Sequence, residues 1–287
     1  MKHWLFFSLL VLCYNTAFSD NLKVVATIKP IHSLVSSVTE GILEPCLVDC
    51  GATSVHDYIL KPSSVSKLES SNIIFYVDDN LETFIKSFGK NRTLVKLSEA
   101  VKLLPARPQL LSQNIINEED LHIWLSPDNA KIMINYISAK LSEIDKGNSA
   151  RYNYNAMKAT LKIDQEIKKI AKELDNLKDK KYIVTHDAYQ YFEKYFSLSD
   201  PSAILSIEED SYMGVRSLIK LKRIIKEENI KCVFSNSLEN PKIFSNDPNI
   251  KIVILDPIGL DIEPGKDAYI TIINNIAQNF KSCFIAP

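Results

Sequence analysis

Four residues of this chain combine a metal-binding type with a suitable setting: His56 in "SVHDYILKP", His122 in "DLHIWLSPDNA", His186 in "THDAYQYF" and Asp256 in "LDPIG". Only five histidines occur in the 287 residues, so three in such settings are a large share of the supply. Three imidazoles and a carboxylate make a good shell for Zn²⁺, with Zn–N distances of about 2.0–2.1 Å. Taken singly, each has a plainer reading. A lone histidine at a strand end is more often a hydrogen-bonded surface or core residue than a ligand. The joint arrangement is what argues for a metal. His32, on the opening turn of a helix after Lys29-Pro30, reads as an ordinary structural histidine. The same ligand set could also serve an exported zinc-dependent hydrolase, because three histidines with an open fourth position can activate water. Catalysis would need a positioned general base, and the sequence has no HExxH or comparable pairing.

Such ligands need a scaffold that brings distant segments together. The β-branched runs "LKVVATI" (22–28), "NIIFYV" (72–77), "KYIVT" (181–185), "KCVF" (231–234) and "KIVIL" (251–255) read as buried strands of parallel sheet. Amphipathic stripes lie between and after them: Met133, Ile137, Leu141 and Ile144, then Tyr269, Ile272, Ile273, Ile276 and Phe280. Alternating strands and helices predict an α/β fold. His186 directly follows one strand and Asp256 another, and ligand sites in open α/β sheets form at the carboxyl ends of strands. From Ser149 to Leu177 there is no proline or glycine, and Ile163, Ile167, Ile170, Leu174 and Leu177 keep helical spacing. That predicts a helix of about 29 residues, roughly 43 Å long. We read it as a rigid strut between two lobes, each a mostly parallel sheet flanked by helices. A long surface helix of a single domain is the alternative. The division expected is a leader over 1–19, an N-terminal α/β lobe over 20–148, the long helix over 149–178 and a C-terminal α/β lobe over 179–287. His56 and His122 then belong to the first lobe, His186 and Asp256 to the second.

Composition narrows the function classes. Hydrophobic residues are 46% and charged residues 24%, as in globular proteins. A formal net charge of -1 gives no electrostatic reason to bind nucleic acid. None of the seven glycines is spaced for a GxGxxG turn or a P-loop. Lys2 followed by "HWLFFSLLVLCYNTAFS" reads as a signal peptide cleaved after Ser19, so the mature protein is expected to be exported, periplasmic and soluble. A lipoprotein would use Cys13, but bulky Leu12 stands where a small residue is expected. Cys46, Cys50, Cys232 and Cys283 remain after cleavage, an even set that reads as disulfides in an oxidising compartment, with three possible connectivities. We expect Cys46–Cys50 and Cys232–Cys283, two free thiols being the alternative for the close pair.

"TIKPIHSLVSSV", "GATSVHDYILKPSSVSKLESSNIIFYV", "DLHIWLSPDNA", "THDAYQYF" and "LDPIG" follow in an order that resembles the metal-binding substrate-binding proteins of ABC importers (cluster A-I, TroA-like), nearest to their zinc-uptake, ZnuA-like branch. The resemblance covers essentially the whole mature chain. It implies two α/β lobes joined by a long backbone helix, one metal in the cleft between them, and delivery of that metal to a membrane permease; a monomer is expected. It also implies the ligands His56, His122 and His186, with Asp256 where many members supply a carboxylate, and Cys232 and Cys283 fit a bridge seen in zinc members. Manganese-type relatives commonly carry a carboxylate where this chain has His186. Nitrogen-rich ligation suits zinc better than manganese, so a manganese or mixed-metal carrier is the alternative and an adhesin on the same fold a further one. Two departures stand out. "LPARPQLLSQNIINEED" holds no histidine where some zinc members have a His- and Asp-rich loop. Val55 precedes the first ligand where some have a carboxylate, which leaves Asp256 or water for the fourth position.

Overall fold

The computed structural model describes residues 22–48, 60–110, 118–205, 214–236, 242–244 and 247–285. The leader expected over 1–19 lies outside them. In chain order the elements are β1 (Val24–Ala26), α1 (Lys29–Thr39), β2 (Cys46–Leu47), α2 (Pro62–Ser70), β3 (Ile73–Tyr76) and β4 (Thr93–Lys96), followed by the short strands β5 (Leu104–Pro105) and β6 (Glu119–Asp120). Then come α3 (Pro127–Ile144), α4 (Ser149–Leu174), β7 (Ile183–Val184), α5 (Gln190–Phe196) and β8 (Ala203–Ile204). The chain continues with α6 (Val215–Glu227), β9 (Cys232–Ser235), β10 (Lys251–Ile254) and α7 (Ala268–Phe284).

The strands form two four-stranded sheets, β2-β1-β3-β4 and β10-β9-β7-β8. Every pairing within them is parallel. Every residue of β1, β3 and β9 is buried, which is why their sequences are near-continuous apolar runs, β9 ending in Ser235, rather than alternations. The architecture is α/β in two lobes, each a parallel sheet with helices on it, joined by one long helix. Five strands escaped the reading of the sequence. β2, β8 and the antiparallel pair β5-β6 have two residues each, too few for a pattern, and β4 is a half-buried edge.

Local chemistry sets the helix ends. Pro127 opens α3, and the Ser126 side chain caps it by accepting from the Asn129 N–H at 3.2 Å. The apolar stripe of α3 stops at Leu141, since Ile144, its last residue, is 43% exposed. The long segment is α4, 26 residues and about 39 Å, flanked by 3-10 turns at Lys146–Asn148 and Asp175–Leu177. Its buried stripe, Tyr152, Ala156, Ile163, Ile167, Ile170 and Leu174, lies on a helix that packs against α1 and α3 and also against α7. The helix is therefore built into both lobes rather than standing free between them. One apolar interior runs from β1 and β3 through Trp124, α3 and α4 to Tyr189 and α7. A shared apolar interior of this extent opposes wide relative motion of the two lobes.

Cys232 of β9 bridges Cys283 of α7 with Cα atoms 5.8 Å apart and a sequence separation of 51, fixing the last helix to the second sheet. Closing that loop is worth ~4 kcal/mol in the chain-entropy model. Cys232→Ser with Cys283→Ser is expected to lower the free energy of unfolding by about that amount in urea denaturation. A wild-type urea midpoint that does not move when reductant is added would contradict it. Cys46 is an exposed free thiol, and its expected partner Cys50 lies outside the described residues. No helix among the described residues is long and apolar enough to cross a membrane.

Candidate metal centre

The two lobes present the carboxyl ends of their strands to a common cleft, and that polarity delivers the histidines. His186 lies two residues past the end of β7. His122 follows β6 and opens the 3-10 turn Ile123–Leu125. Asp120 fixes it, because its Oδ1 accepts from the His122 backbone N–H at 2.9 Å and from ring Nδ1 at 2.8 Å. With Nδ1–H committed to a carboxylate, Nε2 is the ring nitrogen that offers a lone pair. That nitrogen stands 3.3 Å from Nε2 of His186, and the two rings are nearly perpendicular, at 78°.

The separation carries chemical information. Two nitrogens each about 2.0–2.1 Å from a tetrahedral zinc stand roughly 3.3–3.4 Å apart, so the pair is already spaced as one edge of a zinc tetrahedron. The histidines face a cleft of about 650 Å³ whose wall also carries Glu118, Glu119, Asp120 and Asp187. An acidic wall of this kind concentrates cations at the mouth. The Asp120 side chain is 2% exposed, and its Oδ2 has no hydrogen-bond partner among the described residues. A buried carboxylate of that kind is compensated once the imidazole it holds is bound to a dication.

Asp256 sits just past β10, but its carboxylate points into its own turn. Oδ1 accepts from the N–H of Ile258 at 2.9 Å and Gly259 at 2.8 Å, and Oδ2 from that of Leu260. Gly259 is required there: its φ is +71°, and a Cβ would lie 2.6 Å from Ile272 Cγ1. Lys29, at the start of α1, donates to the carbonyls of Gly259 and Leu260 and so ties this turn to the other lobe. Burial lowers the Lys29 pKa, while Asp256, Glu263 and Asp261 act against that shift. Trp124, wholly buried, has its ring 5.3 Å from that of His122 and donates from Nε1 to the Pro257 carbonyl at 2.8 Å. The Asp256 turn is thereby linked to the His122 turn, although Asp256 is not on the wall of the cleft that the two histidines line.

His56 belongs to the connection from β2 to α2 and lies outside the described residues. Among the described residues no three histidine, cysteine, aspartate or glutamate side chains group as a metal shell. His32 is a buried structural histidine. Its Nε2 meets the Pro45 carbonyl at 3.0 Å, and burial lowers its pKa. Two supporting residues went unread in the sequence. Asp120 stands two residues before His122, from where a carboxylate can reach the histidine's N–H and ring. Glu82 is wholly buried and accepts from Thr27 Oγ1 at 2.6 Å and from the N–H groups of Val77 and Asp78 at 3.1 and 3.0 Å. Burial pushes its pKa up to about 7. It holds the turn after β3 that carries Asn80 and Thr83 to the cleft wall.

The chain as a whole is similar to known proteins. A family model described as "Zinc-uptake complex component A periplasmic" matches residues 24–283. The high-affinity zinc uptake system protein ZnuA of Brucella abortus is 30% identical, over 94% of this chain and 94% of its own. Among solved structures, that of a ZnuA is 20% identical with a TM-score of 0.77, covering 92% of this chain and 99% of the other. The Zn(II)-bound ZnuA-like domain of Streptococcus pneumoniae AdcA is 21% identical with a TM-score of 0.73, covering 92% and 98%. At these identities the two structures speak for the fold.

Proposed function

Because this chain belongs to the ZnuA family of periplasmic zinc-uptake components, we propose that it is the binding protein of a high-affinity zinc importer. It captures Zn²⁺ in the cleft between its lobes and passes it to the membrane permease of an ABC transporter. The observation that carries this reading is the 3.3 Å approach of His122 Nε2 to His186 Nε2, one nitrogen from each lobe, with Asp120 fixing the first ring. His56 completes three nitrogen ligands in this proposal, and Asp256 or a water takes the fourth position. Asp256 would have to turn at least one oxygen away from the N–H groups it now serves. The role is capture and release, not catalysis. Nitrogen-rich ligation favours zinc over manganese. The proposal extends to an exported, periplasmic monomer with its leader removed after Ser19, and to lobes spanning 20–148 and 179–287 about a helix at 149–178.

Deleting the gene is expected to slow growth in chelator-treated medium, with added zinc restoring it and manganese failing to. Restoration by manganese instead would replace the zinc carrier with a manganese carrier.

A further inference from the structure

The two histidines come from points 64 residues apart in the chain, so something must hold their spacing when no metal does. Residues 104–110 cross from the first lobe onto the second. Leu110 N donates to the Ile204 carbonyl of β8 at 2.7 Å, and the Gln190 side chain donates to the Pro105 carbonyl at 3.2 Å. Tyr191 of α5 accepts from Leu104 N at 2.9 Å and donates to the Asp120 carbonyl at 2.8 Å. Arg107 lies in the middle of this crossing. Its Nε is 3.1 Å from both carboxylate oxygens of Asp187, to which Nη2 also binds. Its Nη1 is 2.6 Å from Glu193 Oε2 and 3.2 Å from Asp200 Oδ1.

Asp187 is the residue after His186. The side chains of Arg107, Asp187 and Glu193 are 12%, 10% and 2% exposed, so these charges are largely out of water and depend on good geometry. A planar guanidinium fork fixes a carboxylate in position and orientation, which an ammonium does not. Holding the Asp187 carboxylate restricts the backbone that carries the His186 imidazole. The same crossing segment pairs Leu104 of β5 with Asp120 of β6, and Asp120 holds the His122 ring. One stretch of chain thus grips the support of both histidines.

We propose that Arg107 is a positioning residue: by gripping Asp187 from the opposite lobe, it sets the His186 imidazole at zinc-binding distance from His122. This rests on the zinc-carrier reading. A merely structural Arg107 would neutralise Glu193, whose carboxyl burial pushes up to about 7 against the opposing pull of the guanidinium. Arg107→Lys separates the two roles, because it keeps a cation beside Glu193 and loses the fork on Asp187. Asp187→Asn is the second variant, since it leaves the Arg107–Glu193 pair in place.

The test is a chelator-competition titration with Zn²⁺ on the full chain, run as a double-mutant cycle with His186→Ala, beside urea unfolding of the zinc-free proteins. Arg107→Lys should weaken zinc binding about tenfold, at the low end of the roughly 10–100-fold cost of losing an outer-shell partner. The unfolding midpoint should stay near that of the wild type, and the visible absorption of the Co²⁺-loaded protein should change. In the His186→Ala background neither Arg107→Lys nor Asp187→Asn should weaken binding further. An equal loss in that background, or unchanged affinity in both single variants, would overturn the inference. A wild type that binds no zinc would overturn the carrier reading itself, and the wild-type titration alone reports that.

Discussion

Replacing His122 or His186 with alanine is expected to weaken zinc binding by more than the roughly 10–100-fold that loss of an outer-shell partner costs. Each change removes one of the two nitrogens now held 3.3 Å apart and leaves an incomplete shell. His56→Ala should fall in the same class, as the third nitrogen of the proposed shell. Asp256→Asn should cost less. An asparagine keeps one oxygen for the N–H groups of Ile258 and Gly259, but its amide nitrogen would face a donor at Leu260. The harm then falls first on the turn and reaches the metal only through it. Calorimetric titration of the four variants with Zn²⁺ decides the order. Abolished binding in Asp256→Asn with near-normal binding in His186→Ala would reverse the ligand assignment and favour a manganese-type site.

Trp124→Ala is expected to be the most damaging single change to stability near the site. A wholly buried tryptophan replaced by alanine costs about 3–5 kcal/mol, a large part of the 5–15 kcal/mol that ordinarily holds a domain folded. Trp124 does two further things. Its ring packs beside His122, and its N–H satisfies the Pro257 carbonyl of the Asp256 turn. Trp124→Phe keeps most of the ring and removes the N–H, so it isolates the second contribution. Loss of that hydrogen bond leaves a buried carbonyl short of a partner, at about 1–3 kcal/mol. Urea denaturation should rank the proteins wild type, then phenylalanine, then alanine, and zinc affinity should fall in the same order. An alanine variant as stable as the wild type would contradict the packing described here.

The fold was largely legible because its main signals are local and strong. The buried strands β1, β3 and β9 are near-continuous apolar runs, α4 has no helix breaker, and the α7 stripe from Tyr269 to Phe280 is buried as its spacing requires. What escaped was short or non-local. β2 and β8 hold two residues each and exist because a neighbouring strand pairs with them. At the site, His122 and His186 could be nominated singly from strand-end position and motif, but their convergence follows from how the lobes meet. Arg107 and Asp187 are 80 residues apart, and no pattern in either segment announces the pair. Asp256 shows a different difficulty. "LDPIG" past a strand suits a carboxylate aimed at a ligand, and it equally suits one that caps its own turn. The carboxylate occupies the second arrangement.

On the proposed reading this chain holds one zinc ion through histidine nitrogens from both lobes, and a chelator-competition titration of the full chain with Zn²⁺, repeated with Mn²⁺, decides whether it does. One Zn²⁺ per chain, bound more tightly than Mn²⁺ and greatly weakened in both His122→Ala and His186→Ala, is the predicted result. Tighter binding of Mn²⁺, or zinc binding that survives loss of both histidines, would contradict it.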